Sequence, residues 1–206
     1  VTTKKIAGLP YIAGIIGSNE GLSEISDIKV ISTTENPSSI TANIGGTIAN
    51  NRYFAGLVGY NTSATAYSNL SNAAPITVTL ESCTNGTYIS GCFGRLENAD
   101  IEVNNCSNSG DITLTAKESK GIPYFGGICG GVSKAKSFTS CTNSGAITFN
   151  ATNSTANTYF GGILGFASVA VTLESCSNSG AITYNPTKMT GTTNIGGIVS
   201  TSSVVH

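Results

Sequence analysis

The feature that most constrains this chain is an internal repeat. The segment YFGGILGFASVAVTLESCSNSGAITYN (159–185) restates YFGGICGGVSKAKSFTSCTNSGAITFN (124–150) after 35 residues. Aligning on the first glycine of a G-x-x-G pair gives six copies: YIAGIIG, YFAGLVG, YISGCFG, YFGGICG, YFGGILG and NIGGIVS. The aligned residues are Gly14, Gly56, Gly91, Gly127, Gly162 and Gly197, separated by 42, 35, 36, 35 and 35 positions. A near-constant period of this size is the signature of a repeat architecture, in which one unit cannot bury its apolar face alone and stacks on its neighbours. The glycines mark places where a side chain would obstruct a turn or close packing.

A second element follows each glycine motif: NCSNSGDITLT (105–115), SCTNSGAITFN (140–150) and SCSNSGAITYN (175–185), with a degraded form NLSNAAPITVT (69–79) and a poorer one, SEISDIKVIST (23–33). The segment LESCTNG (80–86) echoes half of it. In its tail, Ile76 and Val78, Ile112 and Leu114, Ile147 and Phe149, and Ile182 and Tyr184 alternate with polar residues, the pattern of a half-buried strand. Thr77, Thr113, Thr148 and Thr183 are expected to face outward. Val103, Phe138 and Leu173 precede their cysteines by three residues, the wrong parity for one flat strand, so a bend is expected there. Asn-Ser-Gly is expected to form the corner, its Asn and Gly tolerating positive φ. Three short strands per unit are anticipated, with variable loops at 116–123, 151–158 and 186–193.

Helix-favouring Leu, Lys, Glu and Arg are few, and no 3.6-residue apolar spacing is sustained, so the chain reads as all-β. The expected fold is a parallel β-solenoid (β-helix) of about six repeats of roughly 35 residues, forming a single domain over 1–206. Residues 1–52 are expected to be an irregular, capping repeat, 53–200 the regular repeats, and the C-terminal repeat incomplete. A propeller is the alternative, but its blades usually need four strands in about 40 residues. The last copy stops half a repeat short. An uncapped rung leaves an open strand edge, so the natural protein is expected to continue or this end to be covered.

Charged residues make up only 10% of the chain and its net charge is −1, with no basic stripe for nucleic acid. No run of 18 apolar residues suggests a membrane span. The start, VTTKKIAGLP, carries no initiator Met and does not read as a signal peptide, as expected of a mature or excised piece. The single histidine is His206, at the terminus, which argues against Ser-His-Asp, Cys-His and His-ligated zinc chemistry. Cys83, Cys92, Cys106, Cys129, Cys141 and Cys176 contain no C-x₂-C pair for a cysteine-only zinc site. GGICGG lacks the Lys-Ser/Thr of a phosphate loop, and no Asp follows the glycines as calcium-binding nonapeptides require. No catalytic, metal or cofactor-binding residue is therefore expected. Glu97, Asp100 and Glu102, near Arg95, form the best acidic cluster for a glycan-active enzyme, but they belong to one repeat and read as a solvated strand and loop.

Cys106, Cys141 and Cys176 hold one repeat position and are expected to stack as buried free thiols acting as small hydrophobes. Leu70 holds that place in an earlier repeat. Gly56, Gly91, Gly127, Gly162 and Gly197 are the corresponding structural glycines. The threonines, with Thr79, Thr115, Asn150 and Asn185 two residues on, would form a ladder resembling ice-binding surfaces.

GLVG at 56–59, together with the NCSNSGDIT pattern, resembles the GLUG-motif repeat, a glycine motif followed by aliphatic-x-Asn-Cys-x-x-x-Gly-x-Ile/Val-Thr. The resemblance covers residues 11–200. Departures are Ala13, Ala55 and Ser90 at the first family glycine, Leu70 at the cysteine and Ser200 at the last glycine. The resemblance implies a bacterial, secreted or cell-surface, adhesin-like repeat module, without a common biochemical activity. The expected partner is a host extracellular protein or glycan, bound through the variable loops or a polar face, with further domains of a longer chain. Glycan-active enzyme and Thr-ladder ice- or surface-binding protein are the alternatives.

Overall fold

The computed structural model describes residues 2–3, 11–48, 50–63, 66–97, 100–134 and 136–201. They contain no helix. The chain winds into a parallel β-solenoid, and every strand pair between turns is parallel. A turn carries five short strands, not three. In the turn starting at Thr87 these are Thr87–Ser90 (sheet 1), Phe93–Leu96 (sheet 2), Ile101–Asn104 (sheet 3), Ser107–Asn108 (sheet 4) and Ile112–Ser119 (sheet 5). Four turns carry all five strands, beginning at Tyr11, Arg52, Thr87 and Pro123. In the fifth, the second strand shrinks to isolated bridges at Leu164 and Ala167, and only Thr193–Gly196 of a sixth is formed as a strand. The count of complete turns is thus lower than the six sequence copies. Stacking in register, rather than radiating around an axis, excludes the propeller.

The register follows the sequence repeat. Tyr11, Tyr53, Tyr88, Tyr124 and Tyr159 align, as do Ile40, Ile76, Ile112, Ile147 and Ile182. The first turn absorbs its seven additional residues in two places. Six lengthen the connection 31–39, and one is a bulge in Ile40–Ile48. The half-echo at 80–86 is the end of a sheet 5 strand and its turn, so it is no repeat element of its own.

The expected bend lies immediately before the cysteine position. Asp27, Asn69, Asn105, Ser140 and Ser175 all take φ between 52° and 57°, reversing side-chain parity between sheets 3 and 4. Short polar side chains tolerate this left-handed conformation best. The Asn of Asn-Ser-Gly has a different job from the one anticipated. Asn72, Asn108, Asn143 and Asn178 lie in sheet 4 and point inward as a ladder. The Nδ2 of each of the first three donates to the next Oδ1, at 2.9, 2.8 and 2.7 Å. All four also donate to the carbonyl two residues on in their own turn, at 2.8–3.1 Å.

This ladder abuts the glycine column. A Cβ at Gly56, Gly91, Gly127 or Gly162 would overlap both the stacked glycine carbonyl and the asparagine amide beside it. Glycine is needed here for close approach. The contact forms a polar waist between two apolar compartments. One lies between sheets 1 and 5, with Phe54, Ile89, Phe125 and Phe160 against Ile76, Leu114 and Phe149. The other is enclosed by sheets 2, 3 and 4 and holds Phe93, Val103, Phe138 and the thiols of Cys92, Cys106, Cys129 and Cys141.

Candidate functional site

Sheet 5 supplies the broadest face, because its strands from Ile40 onward run eight or nine residues while those of the other sheets run two to four. Half of each segment expected to be a variable loop is part of it. Residues 116–119, 151–154 and 186–189 continue the strands in register, and only three-residue connections (120–122, 155–157, 190–192) precede the next turn. Alternating inward residues Ile112, Leu114 and Ala116 are buried, and the backbone is consumed in the parallel ladder, so sequence variation appears on a flat outer surface rather than in protruding loops.

Three outward columns cross that surface. The first is Thr41, Thr77, Thr113, Thr148 and Thr183, adding one threonine to the four anticipated. The second is Asn43, Thr79, Thr115, Asn150 and Asn185, in which Asn185 donates to Asn150 at 3.2 Å. The third contains Glu81, Lys117, Thr152 and Thr187. Its two charges pair, with Lys117 Nζ 2.7 Å from Glu81 Oε1. Hydrogen bonding to Glu81 raises the Lys117 pKa. Residues in a column stand about 4.8 Å apart, and columns about 6.6 Å apart along a strand. Apart from the Glu81–Lys117 pair, the three columns are hydroxyls and amides, each able both to donate and to accept.

The acidic cluster does not assemble as one site. Glu97 is held by Arg95, with which it forms an ion pair, and accepts from Ser133 Oγ at 3.0 Å. Asp100 and Glu102 instead border a shallow depression beside Lys136. Lys136 occupies an inward position between Ile101 and Val171 and is 5% exposed. Burial lowers its pKa to about 8. Among the described residues no group of three or more His, Cys, Asp or Glu side chains is placed to hold a metal ion. His206 lies outside the described residues.

The thiols of Cys106, Cys141 and Cys176 stack beneath Leu70. All six cysteines are free, and Cys141 and Cys176 donate to carbonyls of their own and the preceding turn at 3.4–3.5 Å. An aromatic column was missed by sequence reasoning. Tyr11, Tyr53, Tyr88, Tyr124 and Tyr159 stack on the outer side of sheet 1, with centroids 4.5–5.5 Å apart. Tyr60, Arg95 and Phe166 of the neighbouring side cover them. Burial, with Glu97 nearby, pushes the Tyr60 pKa up to about 12. The signal was present in the tyrosine that opens five of the six glycine motifs, Asn194 taking its place in the last. These rings spend their faces on one another, so the column reads as structural cladding rather than an open aromatic platform.

No family model, curated protein or solved structure matches this chain.

Proposed function

We propose that this chain is a non-enzymatic, adhesin-like binding module of a secreted or cell-surface bacterial protein, holding a host glycan or extracellular protein on the outer face of sheet 5. The observation that carries the reading is the set of neutral Thr and Asn columns held in register by the strand ladder. A rigid lattice loses little entropy on binding and meets an extended ligand at many points. The resemblance to GLUG-motif repeats supports the surface location. Of the two surfaces expected from the sequence, the variable loops or a polar face, the face is the one favoured, since half of each supposed loop is sheet 5 strand. The test is a glycan and matrix-protein array probed with the purified chain and with a Thr113→Lys/Thr148→Lys double variant. Binding lost in the variant supports the reading, and equal binding by both chains counts against it.

The unbroken first column of five threonines favours a second reading, an ice- or surface-binding face. Thermal hysteresis that disappears in the same double variant would support it.

A further inference from the structure

Among the described residues, sheet 5 has one register shift. Ile44 pairs with Leu80 and Thr47 with Ser82, so Gly45 and Gly46 together stand opposite Glu81. The other pairs of sheet 5 between Ile76 and Met189 run without such a shift. Bulges of this kind bend a strand and re-aim its neighbours. Here the bulge accompanies a depression of about 440 Å³, within the range of small-molecule sites. Its lining is mostly apolar, with Ile44 and Leu80 in the floor and Gly45 contributing no side chain. Around it stand Asn43, Thr79 and Thr115 of the second column and the Glu81–Lys117 pair of the third.

We propose that this depression is a subsite for one sugar unit of an extended, neutral glycan lying along the columns. The proposal rests on the reading that sheet 5 is the binding face. A pyranose ring has an apolar C–H face and a rim of hydroxyls, and the depression offers the complement of both. The Glu81 carboxylate accepts from adjacent hydroxyls, the Lys117 ammonium donates, and the threonine and asparagine groups do either. One acid and one base leave the lining without net charge, so an anionic or cationic sugar gains nothing there. Both ions are solvated and worth little to stability as a pair, which leaves them free to turn toward a ligand. The neighbouring rungs, at about 4.8 Å, continue neutral hydrogen-bonding groups along the axis for the next units. A protein ligand fits less well: the backbone groups of the sheet 5 strands are used between turns, so the face offers no edge for an added strand.

The test is titration of the full chain with neutral hexasaccharides of β-1,4-glucan, β-1,4-mannan and α-1,4-glucan, followed by calorimetry and by amide chemical shifts. Polygalacturonate and gelatin serve as the charged and protein probes. At least one neutral hexasaccharide is expected to bind in the millimolar range or tighter. Glu81→Gln and Thr79→Ala should each weaken it, the former by about tenfold, as loss of a charge-assisted hydrogen bond implies. Thr148→Ala and Asn150→Ala, outside the depression, should matter much less. Unchanged urea midpoints show that the variants fold. Binding abolished by Thr148→Ala and Asn150→Ala but indifferent to Glu81→Gln and Thr79→Ala would overturn the subsite and leave the polar face standing. Preference for polygalacturonate or gelatin would overturn the neutral-glycan assignment. No binding by any probe would overturn both the subsite and the function it rests on.

Discussion

Two polar ladders run along this solenoid, and they change differently from turn to turn. The inner one is asparagine in four successive turns, at Asn72, Asn108, Asn143 and Asn178. The outer one, the second column of sheet 5, drifts from Asn43 through Thr79 and Thr115 to Asn150 and Asn185. Asn72, Asn108 and Asn143 are almost wholly buried (1–2% exposed), so their donors and acceptors must find partners within the protein. Only a side chain with two donors and an acceptor at that reach can bond the next amide and its own turn together. On the outer face water supplies whatever a neighbour does not, and threonine and asparagine are interchangeable. The same residue type is thus a structural requirement on one side of the sheet system and a replaceable surface group on the other.

The sharpest way to break this contrast is through the glycines beside the inner ladder. Gly127→Ala forces a methyl into the Gly162 carbonyl and the Asn143 amide, and should cost about 3 kcal/mol or more in urea unfolding. Gly197→Ala belongs to the same column but would meet nothing within 4 Å among the described residues, so a change within about 0.5 kcal/mol is expected. Equal effects at both positions would show that the waist does not depend on close approach.

Substituting the ladders themselves comes next. Asn108→Leu strands the Asn72 amide, the Asn143 carbonyl oxygen and the Gly110 carbonyl, a loss of about 2–3 kcal/mol. Asn150→Leu on the outer face should stay within about 0.5 kcal/mol. A smaller effect is expected in the thiol column. Cys141→Ser places a hydroxyl in an apolar site and should cost about 1–2 kcal/mol, whereas Cys141→Val should cost less, as Leu70 already fills that position. Thiol titration of the unfolded, unreduced protein should count six. A count of four or fewer, with Cys106 bridged to Cys141, would contradict a column of free thiols.

The smallest and most conditional effect is on pH. Hydrogen bonding to Cys106, followed by burial, pushes the Cys141 thiol up to about 12, and burial does the same for Cys129. Their folded pKa values lie above the unfolded value of about 8.5, so their contribution is complete below that pH and is lost as pH rises toward 12. Lys136 acts in the opposite sense. Its folded pKa of about 8 lies below the unfolded value of about 10.4, so the unfolded chain binds more protons between those limits and stability rises with pH across them. Lys136→Met should therefore stabilise the protein at pH 7, with a gain that shrinks above pH 8 and is gone near pH 10.4. Melting curves across that range decide the matter, and a gain independent of pH would refute the assignment.

Much of the architecture was legible in the chain alone. A 35-residue period with conserved spacing inside it demands stacking, and the alternation at Ile112–Leu114 or Ile147–Phe149 assigns inner and outer sides, because side chains of a strand alternate whatever its neighbours are. The stacked glycines and cysteines follow from the same period. The inward turn of Asn108 did not follow, because asparagine beside serine and glycine has the local preferences of a turn, and what holds it in a strand is an amide 35 residues away. Nor did the incorporation of the supposed loops into sheet 5: AKES and ATNS carry little strand propensity, and they are extended because the turns on either side offer them a ladder. The depression at Gly45 is likewise a product of two turns of unequal length laid in register. Local sequence determined which residues alternate and recur. Contacts between turns decided which polar groups are deprived of water, and that desolvation separates an obligatory inner ladder from a replaceable outer one.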